Sequence, residues 1–344
     1  MPNETGLEIE TRNGLVVVTL DRPSALNALT NEMVLAFSNH LKTWATDPSI
    51  RAVLIKGAGE KAFCAGGDIR QLYDAKALGP VPTDFFYNEY GMNSLIHHFP
   101  KPYISILNGI TMGGGVGISA PGHYRVATDR TLWAMPETAI GLFPDVGGSY
   151  FLPRLKGKLG LYLGLTGARL RAADTIYAGI ATHYVPIVSL DELIQDLSDE
   201  IDVDAVINRF DKAVGEAPLR ACRDQIDRLF SGDSVGAILT NLAADDGDWA
   251  TKVAHNLQNM SPTSLKLSYA AYKYGAALEF DDVLKMEFRV VSHLMENNDF
   301  FEGVRALLID RDNAPKWSPS TVAQVADSTV ERYFSSLNSR ELIL

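Results

Sequence analysis

Only two cysteines, Cys64 and Cys222, occur in 344 residues. Two thiols cannot build a disulfide framework, and their scarcity fits a reducing compartment. Long apolar runs are missing as well. None approaches the ~20 residues of a spanning helix, so no membrane partner is expected. Positive charge is in deficit: 31 Lys and Arg stand against 42 Asp and Glu, a net charge of −11. That balance argues against a general nucleic-acid or anionic-membrane surface, and an anionic ligand would need a local basic rim. The stretch Met1 to Asn13 is polar and acid-rich, with neither a basic nor an apolar targeting segment. A cytoplasmic protein is the expectation. His97, His98, His123 and His183 lack metal-ligand spacing, which predicts no metal site. Neither Ser119 nor Ser149 lies in a G-x-S-x-G frame, which speaks against a serine triad.

What the chain has is apolar mass, 46% of residues against 21% charged, enough to bury a large core in one domain or two. Leu15 to Leu20 reads as a strand. Thr30 then caps a predicted helix whose apolar Val34, Phe37, Leu41 and Trp44 recur at the period of one buried face. A short strand over Ala52 to Ile55, a glycine loop and a helix from Asp68 to Lys76 follow. The pattern recurs with a strand over Tyr103 to Leu107, a glycine cluster and a helix beginning near Gly114. Tyr124 to Thr128 and Val185 to Val188 are further strand candidates. Lys76 to Asp84, with two prolines and a glycine, reads as an exposed loop. Repeated strand, glycine turn and helix indicate a layered α/β core with its sites on the turns. After about Leu190 the period is helical, which places a soft boundary between residues 1–190 and a mainly helical region, 191–344.

Met135 to Gly148 holds two carboxylates, Glu137 and Asp145, in apolar sequence punctuated by glycine and proline. A charge among apolar residues costs several kcal/mol unless it is paired, so such positions draw attention as chemistry. Gly141 and Pro144 bend the chain between the two acids, so both can face one pocket. Close carboxyls split their pKa values, one ionised as base or nucleophile and the other holding a proton. The alternative, weighed evenly, makes Glu137 a helix-start acid and Asp145 a turn residue.

Two glycine turns, Phe63 to Asp68 and Met112 to Gly117, can aim backbone N–H groups at an anion, with Gly67 and Gly114 as the donors. Tight packing of helix on strand is the structural alternative. Gly115 to Ala120 also fits a weak form of the dinucleotide fingerprint, but at least one strand-turn-helix unit precedes it. Cys64 is read as small apolar packing and Asp68 as a helix cap.

Lys61-Ala-Phe-Cys-Ala-Gly-Gly-Asp-Ile69, Asn108-Gly-Ile-Thr-Met-Gly-Gly-Gly-Val-Gly117 and the Met135 to Gly148 segment together resemble the enoyl-CoA hydratase (crotonase) superfamily. More narrowly, Ala134 to Asp145 and Tyr150-Phe-Leu-Pro-Arg-Leu155 resemble its 3-hydroxyisobutyryl-CoA hydrolase branch. Ser261 to Lys266 and Phe301 to Ala306 extend the likeness into the C-terminal part. The resemblance implies an α/β fold, a crotonase-like spiral of ββα units with a helical C-terminal region. It also implies an acyl-CoA whose thioester carbonyl lies between the amides of Gly67 and Gly114. Hydratases of the superfamily use a glutamate at the position of Gly117 together with one matching Glu137. The first is missing here, while Asp145 supplies the second acid of the hydrolase branch. Glu89 matches a third, substrate-contacting acid. Asp21 to Leu26 resembles an adenine-binding stretch, making Ala25 and Leu26 expected CoA contacts, and Ala65 and Gly67 are expected contacts beside them. Arg22, Lys61 and Arg70 lie near the turns that would line the entry for the CoA phosphates, with an ordinary solvated charge the favoured reading of each. The implied activity is hydrolysis of a short 3-hydroxyacyl-CoA, foremost 3-hydroxyisobutyryl-CoA from valine breakdown. Hydration or isomerisation of an enoyl-CoA and non-catalytic acyl-CoA binding are the alternatives. No cofactor is expected, since CoA is part of the substrate, and a homo-oligomer is possible.

Overall fold

The structure is a computed structural model that describes residues 5–76, 79 and 83–344. Residues 77, 78 and 80–82 of the expected loop lie outside the described residues, as do 1–4. Among the described residues ten strands follow in order: β1 (Leu7–Arg12), β2 (Leu15–Leu20), β3 (Ala52–Gly57), β4 (Ala62–Cys64) and β5 (Tyr103–Leu107), then β6 (Ile110–Met112), β7 (Tyr124–Ala127), β8 (Leu132–Ala134), β9 (Leu170–Arg171) and β10 (His183–Tyr184). No strand follows Tyr184 among the described residues.

By internal contacts the chain divides into two compact units. The first comprises Met1–Gly67, Gly91–Ala134 and Arg169–Ala221; the second comprises Asp68–Tyr90, Met135–Ala168 and Cys222–Leu344. All ten strands belong to the first.

In that unit a six-stranded sheet runs β1-β2-β3-β5-β7-β10 and a four-stranded sheet runs β4-β6-β8-β9. Pairs within the large sheet are parallel except β1 with β2. Those two form a hairpin through Asn13 and Gly14, both left-handed, as a two-residue turn matching strand twist requires. From β3 to β8 consecutive strands alternate between sheets. β3, β5 and β7 enter the large sheet, and β4, β6 and β8 enter the small one. Each ββ step therefore ends in a turn at the end of a short strand, where the glycine clusters lie. β5 is buried along its whole length, as a parallel strand covered on both faces should be. Leu54, Ile104, Ile106 and Val126 from the large sheet pack with Leu193, Leu197, Val206 and Ile207 of helices Leu190–Asp199 and Val203–Phe210.

Thr30 caps helix Asn31–Thr46, its hydroxyl accepting the Met33 amide at 3.2 Å, and the four predicted face residues, Val34, Phe37, Leu41 and Trp44, are all buried, with Met33 beside them. The strand expected over Val185 to Val188 is not formed. Val185 donates to the Ala127 carbonyl at 3.0 Å, but Pro186 has no N–H to continue a ladder and Ile187–Ser189 turns as a 3-10 helix.

The second unit is helical throughout among the described residues. Its apolar core joins Leu161 and Leu165 of helix Leu159–Thr166 to Phe230, Ile238, Leu242, Val253, Leu257 and Leu265. Helices Pro262–Gly275, Phe280–Met295 and Asp299–Val304 complete the frame around the Met135 to Phe151 segment.

Candidate active site

In the first unit, β4 leads into Ala65, Gly66 and Gly67. Ala65 donates to the Leu26 carbonyl at 3.1 Å, Leu29 donates to the Gly66 carbonyl at 2.8 Å, and Leu29 bridges Gly67. Gly66 has φ +121°, and a Cβ built there would lie 3.7 Å from the Gly114 nitrogen, so the two glycine turns run side by side. Gly113, at φ 49° and ψ −122°, opens the short helix Gly114–Gly117. The Gly114 amide stands first in that helix and has no partner within it. Gly115 has a different reason to be glycine: a side chain there would collide with the Cys64 carbonyl. Packing thus accounts for Gly115, and Gly67 and Gly114 remain as the donor candidates. Cys64 is fully buried in β4, in keeping with a packing role.

Ala25 and Leu26 lie in a turn where Leu26 and Asn27 are both left-handed, at φ 53° and 56°. Buried Asn27 holds that shape. Its Oδ1 accepts the Arg22 amide at 3.0 Å, and its Nδ2 donates to the Ala58 and Ala62 carbonyls, each at 2.9 Å. Beside it is a hollow lined by Pro23, Leu26, Ala58, Gly59 and Ala62, with exposed Glu60 and Lys61 bringing one charge of each sign to its edge. Arg22 turns inward instead and donates to the Ala28 carbonyl at 2.6 Å.

The second unit brings the acids together. Glu89 (2% exposed) lies on helix Asp84–His97, Glu137 (4%) opens the 3-10 turn Glu137–Ile140, and Asp145 (4%) begins the turn into helix Gly148–Phe151. Pro136 precedes Glu137 and left-handed Gly141 ends its turn. That turn is pinned from three sides. Ser261 donates its amide to the Thr138 carbonyl at 3.1 Å, Thr138 donates its hydroxyl to the Leu165 carbonyl at 3.1 Å, and a side chain on Gly303 would collide with the Ile140 backbone.

Two residues unmarked by the sequence analysis complete this cluster. Tyr90, fully buried, donates its hydroxyl to Asp145 Oδ2 at 2.7 Å. Glu287, fully buried on helix Phe280–Met295, accepts the Gly147 amide on Oε2 at 2.8 Å and the Ser149 amide on Oε1 at 2.9 Å. A signal for Glu287 was present, since it falls on the apolar face formed by Val283, Leu284, Val291 and Leu294. Tyr90 had none, because an aromatic at helical spacing reads as core.

Burial governs the electrostatics. Desolvation pushes Asp145 up to about 6, although the Tyr90 hydroxyl and a backbone amide hold it down. Glu137 and Glu89 are raised well above the ordinary carboxylate range, by desolvation first and by the neighbouring Asp145 charge second. Glu287 is pushed up to about 8 by desolvation and then by Asp145, with the two backbone amides opposing. One oxygen each of Glu89 and Glu137 has no hydrogen-bond partner among the described residues. Buried, unpartnered carboxyl oxygens with shifted affinity for protons are the signature of groups kept for a ligand. Asp145 loses its proton first, and its charge keeps protons on its neighbours.

No group of three or more His, Cys, Asp or Glu among the described residues could hold a metal ion. No described helix is long and apolar enough to cross a membrane.

Comparison with known proteins gives this geometry a setting. A curated relative from Xenopus laevis, named "3-hydroxyisobutyryl-CoA hydrolase, mitochondrial", is 49% identical over 95% of this chain and 88% of its own length. A crystal structure of a carnitinyl-CoA dehydratase from Mycobacterium thermoresistibile superposes with a TM-score of 0.94 at 41% identity, covering 99% of both chains. One of an enoyl-CoA hydratase from Rhodobacter sphaeroides gives 0.92 at 36%, covering 98% of this chain and all, 100%, of the other. The fold is therefore the crotonase type, with ββα units and a helical C-terminal region. The cytoplasmic expectation is overturned, because the curated relatives are named mitochondrial. Scarce cysteine reports on redox chemistry and carries no address. The family model described as enoyl-CoA hydratase/isomerase matches residues 15–334, nearly the whole length, and the chain belongs to that family.

Proposed function

We propose that this protein hydrolyses 3-hydroxyisobutyryl-CoA to 3-hydroxyisobutyrate and CoA, a step of valine breakdown, with no cofactor beyond the CoA of the substrate. The observation that carries this reading is the pair Glu137 and Asp145, buried together with proton affinities that are both raised but unequal, in a chain whose curated relatives are named for that hydrolysis. Hydrolysis needs a base for water or for a nucleophile and an acid for the leaving sulfur. Asp145, first to ionise, suits the former; Glu137, holding its proton, suits the latter.

Two routes share this inventory. In one, Asp145 takes a proton from water, the water oxygen bonds to the thioester carbon, the C–S bond breaks and Glu137 protonates the thiolate. In the other, Glu137 first passes its proton to Asp145 and attacks as carboxylate. The departing thiolate then takes that proton, and water opens the anhydride. Both routes begin with ionised Asp145. The Gly67 and Gly114 amides are assigned to the carbonyl oxygen as it gains charge, a task in which one donor is worth ~2.7 to 4 kcal/mol. Glu89, with its unpartnered oxygen, is assigned to the substrate's hydroxyl. The Ala25, Leu26 and Ala65 stretch is assigned to CoA.

A second reading is hydration, favoured by the names of the two solved structures. Gly117 weighs against it, having no side chain to serve as a second acid at that position. Incubation with 3-hydroxyisobutyryl-CoA and separately with crotonyl-CoA decides. Thiol release from the first supports the proposal, loss of enoyl absorbance without thiol replaces it with hydration, and tight binding with neither leaves a non-catalytic acyl-CoA binder.

A further inference from the structure

Val146, between Asp145 and Gly147, sits at φ +50° and is almost fully buried. A β-branched residue in the left-handed region is disfavoured by its own side chain and persists only where its surroundings hold it. The residues on either side show what holds it. Upstream, the Asp145 carboxylate is fixed by the Tyr90 hydroxyl at 2.7 Å, and the Tyr90 ring meets Phe86 and Phe288 edge-on at 6.2 and 6.3 Å. Downstream, Gly147 and Ser149 present their amides to the two oxygens of Glu287, at 2.8 and 2.9 Å. Gly147 is itself left-handed, at φ 87°, and a Cβ on it would press the Phe280 ring at 2.6 Å. Glu287 and Phe288 are consecutive, so one turn of helix Phe280–Met295 supports both the Tyr90 ring and the amides after Val146.

We propose that Glu287 is a positioning residue: its carboxyl group grips the amides of Gly147 and Ser149, keeps Val146 in its left-handed conformation, and so aims Asp145 at the substrate. Capping of the short helix Gly148–Phe151 alone would not call for a fully buried acid, since a hydroxyl or amide side chain accepts such N–H bonds without the desolvation of a carboxyl. The proposal rests on the hydrolase reading only for its kinetic readout. Its structural readout, the conformation at Val146, is independent of any activity.

The test uses Glu287→Gln, Val146→Gly and the double variant. In Glu287→Gln the new NH2 group faces one of the two amides donor to donor, so one grip is lost. Expected are a fall in kcat of about ten- to hundredfold, the range that a small misplacement of a reacting group produces, and a KM for 3-hydroxyisobutyryl-CoA within about twofold of the parent value. Val146→Gly alone should stay near parent activity. Glycine adopts the left-handed conformation without strain, so in the double variant it should restore at least part of the lost kcat. A crystal structure of Glu287→Gln should show Val146 moved out of the left-handed region or the Tyr90–Asp145 bond lengthened. An unchanged kcat, equal losses through kcat and KM, or no recovery in a folded double variant would overturn the proposal. If Glu287→Gln does not fold, Glu287→Asp replaces it, with an intermediate kcat and unchanged KM expected and parental kcat counting against. If the parent protein releases no thiol, the hydrolase reading fails and the conformation of Val146 in the variant crystal still decides this inference.

Discussion

The two units offer chemistry of different kinds. In the first, the candidate groups are main-chain amides at Gly67 and Gly114, placed by sheet register and by glycines that let two turns approach. In the second, they are carboxyls on helices and turns, Glu89, Glu137 and Asp145, whose affinity for protons is raised by burial. A backbone donor is not removed by trimming a side chain, and proline removes it only by also fixing φ, whereas a carboxyl can be replaced while the fold is left standing. The sheet unit is thus expected to be unforgiving in shape and the helical unit unforgiving in charge.

The sharpest way to separate them is Glu137→Gln, which keeps shape and removes acid-base function. Turnover should fall by ~10² to 10⁴, with modest change in acyl-CoA affinity. Near-normal thiol release by that variant would remove Glu137 from the mechanism. Gly66→Ala does the converse, touching no reactive group. The added methyl meets the Met112 carbonyl, the Gly114 nitrogen and the Gly113 Cα at ordinary distances of 3.5, 3.7 and 3.8 Å, so its cost is conformational, a φ of +121° that an L-residue rarely adopts. Shifting the Gly67 amide should lower kcat by a sizeable part of the ~10²-fold or more that one oxyanion donor supplies. Full activity in a folded Gly66→Ala would sever that turn from the chemistry. The smallest expected effect is the most diagnostic of electrostatics. Ionised Asp145 is required in both routes, so activity should decline as pH falls through about 6. The Tyr90 hydroxyl stabilises that ionised form, and Tyr90→Phe should therefore move the acid limb of the kcat/KM profile to higher pH. A limb that stays put would take Tyr90 out of the electrostatics of Asp145.

Much of the sheet unit was legible because its signals are local. The Thr30 cap, the periodic helix behind it and the runs that became β2, β3, β5 and β7 depend on neighbours in sequence. The short strands β4, β6 and β8 were not seen, because three residues give no period and their pairing partners are distant in sequence. Glu137 and Asp145 stood out as acids in apolar sequence, while Glu89 emerged only by resemblance, since a lone acid on a helix looks solvated. The left-handed Val146 could not be read at all. Its partner in that conformation, Glu287, lies about 140 positions along the chain, and no local rule places valine there.

The buried carboxyls also make the fold a sink for hydrogen ions. Asp145 titrates near 6 when folded against an ordinary 3.8, and Glu287 near 8 against 4.5, so between those limits the native chain carries protons that the unfolded chain has released. Each such group supports the native state fully below its unfolded value and loses that support as pH rises through its folded one. Raising the pH from 3.8 to about 6 for Asp145, and from 4.5 to about 8 for Glu287, accordingly loosens the helical unit from within, the opposite of the gain that an ordinary surface ion pair would bring.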